Sequence, residues 1–340
     1  MSTTRTSVPV LDLSAARNPD GTFTADFIDT LRDAAHNVGF FQVTNYGAAP
    51  GQARALLDTV AGFFRLPLEQ RLELDNRTSA QFRGYTRLGT EITRGRADSR
   101  EQIDFGPDRE PLADVPADKL FLRLQGRNQW PAGYPELELA AERWARLMSG
   151  IGADLLAGIS VALGLPEGYF AEPFADTPAW MGKLVHYVGG QVPEAGTQGV
   201  GSHADYGFVT LLLQDQVGGL EVQPHGQKEW IAVDPLPGAL VVNLGEMLEV
   251  ATNGYLMATI HRVTAPPPGV DRYSVPFFWS PRLDAVIDTV PLPPELAADA
   301  RGVSDDPQNP MLSSYGANVL KGWVRAHPQT AAIHYPEFGG

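Results

Sequence analysis

Val209-Thr210-Leu211-Leu212-Leu213-Gln214, then Asp215-Gln216-Val217-Gly218-Gly219, then Leu220-Glu221-Val222-Gln223 follow one another without a break, and their reading decides the fold. Two short runs rich in apolar residues flank a turn signal that carries paired glycines, which is the pattern of short strands. Working outward, the same texture recurs at residues 183–187, 230–232, 239–243, 258–263 and 273–279, each bounded by Gly, Pro or Asp. Many short strands at this spacing predict a sandwich or barrel. Pro266-Pro267-Pro268-Gly269 reads as a turn inside that β region, not as a boundary.

Before residue 180 the period is helical. Residues 23–38 place Phe27, Leu31, Ala34, Ala35 and Val38 on one face, with Gly39 as the stop. Residues 8–13 and Phe40–Thr44 read as strands. Gln52–Phe64 reads as a helix, and a further one starts within 67–72. Residues 75–110 read as a long loop with extended pieces, 102–105 among them. Residues 136–164 form a long amphipathic helix entered through Pro135. A last helix is expected over 314–325. With no repeat and no low-complexity linker, residues 1–340 read as one domain. It has a helix-rich region at 1–175, a β core at 176–290 and a C-terminal segment at 291–340.

The 340 residues are 43% hydrophobic and 19% charged, a globular balance. The net charge of −14 repels phosphate backbones and anionic bilayers, and no basic run relieves it, so no nucleic-acid partner is expected. There is no cysteine, which excludes disulfides, thiolate nucleophiles, iron–sulfur clusters and Cys-based zinc sites. Any metal must sit on His, Asp or Glu. Residues 1–12 lack the apolar core of a secretory signal, and no run of about 18 uninterrupted apolar residues exists. A cytoplasmic protein without a membrane partner is the expectation. Nothing in the sequence sets an oligomeric state.

His203-Ala204-Asp205 stands at the head of a strand candidate, and side chains two apart on an extended chain point the same way. His261 follows 56 residues after Asp205, inside another apolar run. Two histidines and one carboxylate make the facial triad of non-haem iron(II) oxygenases, which leaves positions open for co-substrate and O₂. A satisfied core histidine is the plain alternative, and the triad alone does not choose between them. His36, His186, His225, His327 and His334 take that plain reading. Eleven residues after His261, Arg272-Tyr273-Ser274 puts a guanidinium and a hydroxyl on one strand face. The flanking Val275, Pro276, Phe277, Phe278 and Trp279 are too apolar for an exposed edge. The arginine is therefore buried and needs an anion, as a fork for a carboxylate would. Tyr187 shares a face with Lys183 and Val185, and its phenol could reach the same carboxylate; a core tyrosine is the alternative.

These segments together resemble the isopenicillin N synthase-like family of iron(II)- and 2-oxoglutarate-dependent oxygenases, over nearly the whole chain. Val8-Pro9-Val10-Leu11-Asp12-Leu13 and Asn37-Val38-Gly39-Phe40-Phe41-Gln42-Val43 are similar to the family's N-terminal region. Ser202-His203-Ala204-Asp205-Tyr206-Gly207, Asn243-Leu244-Gly245-Glu246-Met247-Leu248-Glu249 and His261-Arg262-Val263 are similar to its metal-bearing core. The resemblance implies a mainly β fold with surrounding helices, built on a double-stranded β-helix or jelly-roll core. It implies that His203, Asp205 and His261 bind Fe(II). It further implies that Arg272 and Ser274 bind 2-oxoglutarate with help from Tyr187, and that O₂ is consumed. Many plant members carry Asn two residues before that tyrosine, where Val185 stands here. The implied activity is hydroxylation, desaturation or cyclisation of a small, natural-product-like molecule. Phe278, the region 83–105 and the C-terminal segment are expected to line its pocket. A 2-oxoglutarate-independent iron oxidase of the same fold is the nearest alternative. A zinc hydrolase and a non-catalytic jelly-roll binding protein stand further off.

Overall fold

Two sheets face each other across the centre of the molecule, in a computed structural model that describes residues 7–190, 198–304 and 309–338. The larger has the order β1 (Val10–Asp12), β2 (Phe40–Thr44), β12 (Leu240–Leu244), β9 (Val209–Gln214), β14 (Arg272–Trp279), β7 (Met181–Tyr187), β6 (Glu101–Phe105) and β3 (Gly84–Thr86). The smaller runs β11 (Ile231–Ala232), β10 (Leu220–Gln223), β13 (Ile260–Thr264) and β8 (Gln198–His203). A two-stranded ribbon, β4 (Ile92–Thr93) with β5 (Arg96–Ala97), stands apart. From β7 onward the chain passes back and forth between the sheets, which is the winding of a double-stranded β-helix.

Period-two alternation sorts the large sheet's side chains. On β14, Val275, Phe277 and Trp279 enter the main core, while Arg272, Ser274, Pro276 and Phe278 face an internal cavity. On β9, Leu211 and Leu213 enter the core, while Thr210 and Leu212 face the cavity. The core side is covered by α1 (Ala25–Asn37), α2 (Gln52–Phe64) and α4 (Glu136–Ala162), which pack on β2, on β7 and β14, and on β9 and β14 respectively. Leu31, Phe63, Trp144 and Met148 lie in this layer, and each such side chain stabilises it by about 1.5–3 kcal/mol. Between the sheets a second cluster joins Val185, Val200, Val222, Val241 and Val263.

Local sequence explains the joints. Thr24 caps α1, its hydroxyl accepting from the Phe27 amide. Gly39 ends it at φ +68°, and a Cβ there would lie 2.3 Å from the Met257 carbonyl oxygen. Gly152 lets α4 sit against Trp279, because a Cβ would lie 2.6 Å from that ring. Among the described residues α4 is the helix long and apolar enough to cross a bilayer, and here it lies in the main core.

The structure departs from the sequence reading in several places. Residues 75–110 hold β3 to β6, and β3 and β6 extend the large sheet beyond β7. The region 1–175 thus contributes β1, β2, β3 and β6 to that sheet. Residues 8–13 yield only β1 before a single 3-10 turn. Three helices lie beyond the expected set: α5 (Glu246–Ala251), α6 (Pro294–Ala298) and α8 (Pro328–His334); α3 (Leu68–Leu72) starts within the expected 67–72, and α7 (Tyr315–Ala326) is the expected last long one. Each of the three spans seven residues or fewer, too short for a helical period to emerge.

Candidate active site

β8 ends at His203, and the chain then crosses from the small sheet to the large one, where β9 starts at Val209. Asp205 lies in the crossing. The expectation of His203 and Asp205 sharing a strand face is therefore corrected: the strand closes on His203, and Asp205, beyond it, is aimed by hydrogen bonds instead. The start of α5 pins the crossing, with the Glu246 amide donating to the Asp205 carbonyl at 2.7 Å and the Gly245 amide to Phe208 at 2.9 Å. His261 lies on β13 directly across from His203 on β8.

Three donor atoms converge. Asp205 Oδ1 is 3.7 Å from His203 Nε2 and 3.8 Å from His261 Nε2, and one ligand atom from each residue lies within 4.8 Å of the others. Each imidazole is oriented from behind. Nδ1 of His203 is 2.8 Å from the Gly201 carbonyl, and Nδ1 of His261 is 3.1 Å from that of Thr259. A carbonyl can only accept, so each Nδ1 carries the proton and each Nε2 turns a lone pair inward. Phe40 packs edge-on against the His261 ring at 5.1 Å. The other carboxylate oxygen, Oδ2 of Asp205, accepts from Thr210 Oγ1 at 2.6 Å and Asn243 Nδ2 at 2.7 Å. Oδ1 is left to the centre.

The electrostatics suit a cation. Burial lowers the pKa of His261 to about 4, helped by neighbouring His203, and burial lowers that of His203 as well. Both rings are neutral ligands at neutral pH. Burial pushes the Asp205 carboxyl up, but the two imidazoles and its two hydrogen bonds outweigh this and hold it below its usual range.

Arg272 opens β14 and is only 1% exposed. Its Nε donates to the Gly218 carbonyl at 2.6 Å, its Nη2 donates to Gln214 Oε1 at 3.0 Å, and its guanidinium lies 4.7 Å from the Tyr187 ring centroid. Nη1 is buried with no partner, and no carboxylate among the described residues pairs with this side chain. Gly218 can offer its carbonyl this way because it turns at φ +83°. Ser274, next on the same face, is also 1% exposed. The triad, Arg272, Ser274, Tyr187 and Phe278 all line one cavity of about 1120 Å³. Tyr187 faces Arg272 through its ring, which is the contact the structure records for it.

The cavity wall includes β4, the residues around it and α7, as the regions 83–105 and 291–340 were expected to supply. It carries a buried ion network that sequence reasoning missed. Arg100 pairs with Glu91 at 2.9 Å and Asp98 at 3.3 Å, while Lys183 pairs with Asp104 at 2.6 Å and Glu91 at 3.5 Å. Thr210 and Asn243 were missed as well. Thr210 had a signal, as the one hydroxyl in an otherwise apolar run; Gln214 and Asn243 had only their places at strand ends. Of the other histidines, His225 lines the cavity, and His186 meets Glu101 Oε1 at 2.8 Å.

Residues 8–133 match the family model described as non-haem dioxygenase in morphine synthesis N-terminal, and residues 182–281 match that of the 2OG-Fe(II) oxygenase superfamily. The chain is 33% identical over 295 residues to homoarginine-6-hydroxylase of Oryza sativa subsp. japonica, spanning 84% of this chain and 88% of that one. This chain belongs to the iron(II)- and 2-oxoglutarate-dependent oxygenases. A 2-oxoglutarate-dependent dioxygenase, frbJ of Dothideomycetidae sp., is 35% identical over 350 residues, covering 97% and 93% of the two chains. A full-length Neurospora crassa protein solved with alpha-KG, which is 2-oxoglutarate, superposes with a TM-score of 0.71 at 25% identity, over 92% of this oxygenase and 95% of that chain. The oxygenase is thus a 2-oxoglutarate-dependent dioxygenase that uses Fe(II) and acts on a small molecule.

Proposed function

We propose that His203, Asp205 and His261 hold the iron(II), and that Arg272 with Ser274 receives the distal carboxylate of 2-oxoglutarate. The unpartnered Nη1 of a fully buried Arg272, in the same cavity as the triad, carries the co-substrate half of this reading. A buried guanidinium without a carboxylate costs several kcal/mol, which an incoming carboxylate offsets. The bound metal and co-substrate supply the oxidising chemistry, with 2-oxoglutarate leaving as succinate and CO₂.

The chain's own residues do the rest. Thr210 and Asn243 fix which Asp205 oxygen faces the metal. The Gly201 and Thr259 carbonyls fix the imidazole tautomers. The Tyr187 ring keeps the Arg272 fork in plane, and Val185, in the place where many relatives carry Asn, leaves that wall apolar. Phe278, with β4 and α7, bounds the space left for a substrate. At about 1120 Å³ the cavity exceeds most single-ligand pockets, so co-substrate and a small natural-product-like substrate fit together.

Hydroxylation is the favoured outcome, supported by the likeness to the rice homoarginine-6-hydroxylase. One domain spanning 1–340, with its metal centre in the jelly-roll core at 176–290, is the working unit. It acts in the cytoplasm without nucleic-acid or membrane partners, a reading supported by the net charge of −14. The test is a screen for compounds that stimulate succinate formation, with mass spectrometry of the products. A hydroxylated product formed one-for-one with succinate is expected. Turnover without succinate would contradict the reading.

A further inference from the structure

Arg83 is a second buried guanidinium in the same cavity, and the co-substrate reading does not use it. It is 8% exposed, and its remaining exposure is to the cavity it lines. Its Nε is buried without a partner, and no acceptor among the described residues takes a hydrogen bond from its guanidinium. The nearest carboxylates are committed elsewhere. Asp104 is held by Lys183 at 2.6 Å and Gln102 at 2.7 Å, and Asp108 by Arg127 at 2.8 Å and the Asn128 amide at 2.8 Å. Burial lowers the pKa of Arg83 to about 10, with Asp104 offsetting part of that, so it stays a cation at neutral pH. Gly106 makes room for it: a Cβ there would lie 2.2 Å from both Nη1 and Nη2. Among the described residues Arg109, on the same wall, pairs with no carboxylate and donates to the Thr177 and Pro178 carbonyls, at 3.3 and 3.5 Å.

We propose that Arg83 is the substrate-recognition residue of this oxygenase and that its substrate carries a carboxylate, which Arg83 binds as a fork while Arg109 adds positive field. Trp180, Met181, Leu124 and Leu283 line the same cavity and suit an apolar body behind that carboxylate. The proposal deepens the functional reading above and rests on it for the position of the reacting centre. The anion reaches Arg83 as substrate, since Arg272 already supplies a separate buried fork for the co-substrate.

The experiment is calorimetric titration of matched probes, a panel of small monocarboxylic acids and their primary amides beginning with benzoate and benzamide. The protein is loaded with manganese(II) and saturating 2-oxoglutarate. Wild type, Arg83→Gln, Arg83→Lys and Arg272→Gln are compared, with melting curves for each. In the wild type at least one acid should bind roughly tenfold or more tightly than its amide, the size of one charge-assisted contact. Arg83→Gln should erase that preference, Arg83→Lys should keep part of it, and Arg272→Gln should leave it intact. Acids and amides that bind alike across the panel overturn the proposal. So does a preference that survives Arg83→Gln, or one lost only in Arg272→Gln. If Arg83→Gln does not fold, an undiminished preference in Arg83→Lys overturns it. Failure of the underlying reading shows differently, as absence of 2-oxoglutarate binding by the wild type; the acid–amide comparison is then read on the unloaded protein.

Discussion

Asp205 carries the only negative charge among the three converging ligands, and its two oxygens are divided between the metal position and the Thr210–Asn243 pair. Asp205→Ala should therefore abolish metal-dependent stabilisation. The metal-free protein should melt near the wild-type temperature, because the residue buries little apolar surface. Melting curves with and without iron(II) and 2-oxoglutarate check this; collapse of the metal-free variant would make Asp205 structural. Thr210→Val removes one of the two bonds to Oδ2 and keeps the shape. Metal affinity should fall by about 10–100-fold, the usual cost of losing a ligand's supporting partner. Arg272→Gln should weaken 2-oxoglutarate by about 2–5 kcal/mol while metal affinity holds, since Arg272 is not a ligand. Equal 2-oxoglutarate affinity in a titration of both proteins would remove Arg272 from that role. Asp205 was legible in the sequence as the carboxylate two residues after His203, and Arg272 as a charge heading an apolar run, whereas Thr210 was not. Arg83 was not, for its loneliness is a fact of three dimensions: Asp104 and Asp108 are nearby in the chain, and only their hydrogen bonds show that they are taken.

Elements were legible where pattern and length agree. Val209–Gln214, Leu220–Gln223 and Gln52–Phe64 stand at the bounds read from sequence. β8 was not visible, because Gln198-Gly199-Val200-Gly201-Ser202-His203 has two glycines and one branched apolar residue. It is a strand by virtue of its pairing with β13, where tertiary context overrides weak local preference. The ribbon of β4 and β5 was likewise hidden inside a polar stretch. A joint tests this account of the elements. Gly39 combines a left-handed φ of +68° with a Cβ position 2.3 Å from the Met257 carbonyl oxygen. Gly39→Ala should cost more than the about 1–2 kcal/mol of left-handed strain alone. The denaturation midpoint should drop while the m-value stays, and an unchanged midpoint would mean the α1–β2 joint relaxes freely.

For the whole molecule, buried histidines set the response to acid. His203, His261 and His327 are depressed by burial, His261 to about 4. The unfolded chain titrates them near 6.5. Between about pH 6.5 and 4 the unfolded state takes up protons that the folded state refuses, so stability of the metal-free protein falls as pH falls. Asp98, whose carboxyl burial pushes up, works against this and softens the decline. Loss of melting temperature across that window is expected, and a flat profile would contradict the buried neutral imidazoles. Bound metal should raise stability by about 2.7 kcal/mol at 100 times its Kd. The large sheet carries helices on one face and the cavity on the other.

The central claim is that two histidines of the small sheet and one aspartate in the β8–β9 crossing hold one metal. Anomalous diffraction from crystals loaded with manganese(II) and 2-oxoglutarate tests it most directly. The account predicts a single peak bonded to His203 Nε2, His261 Nε2 and Asp205 Oδ1, with the far carboxylate of 2-oxoglutarate against Arg272. A peak elsewhere, or one at the site with His261 turned away, would contradict it.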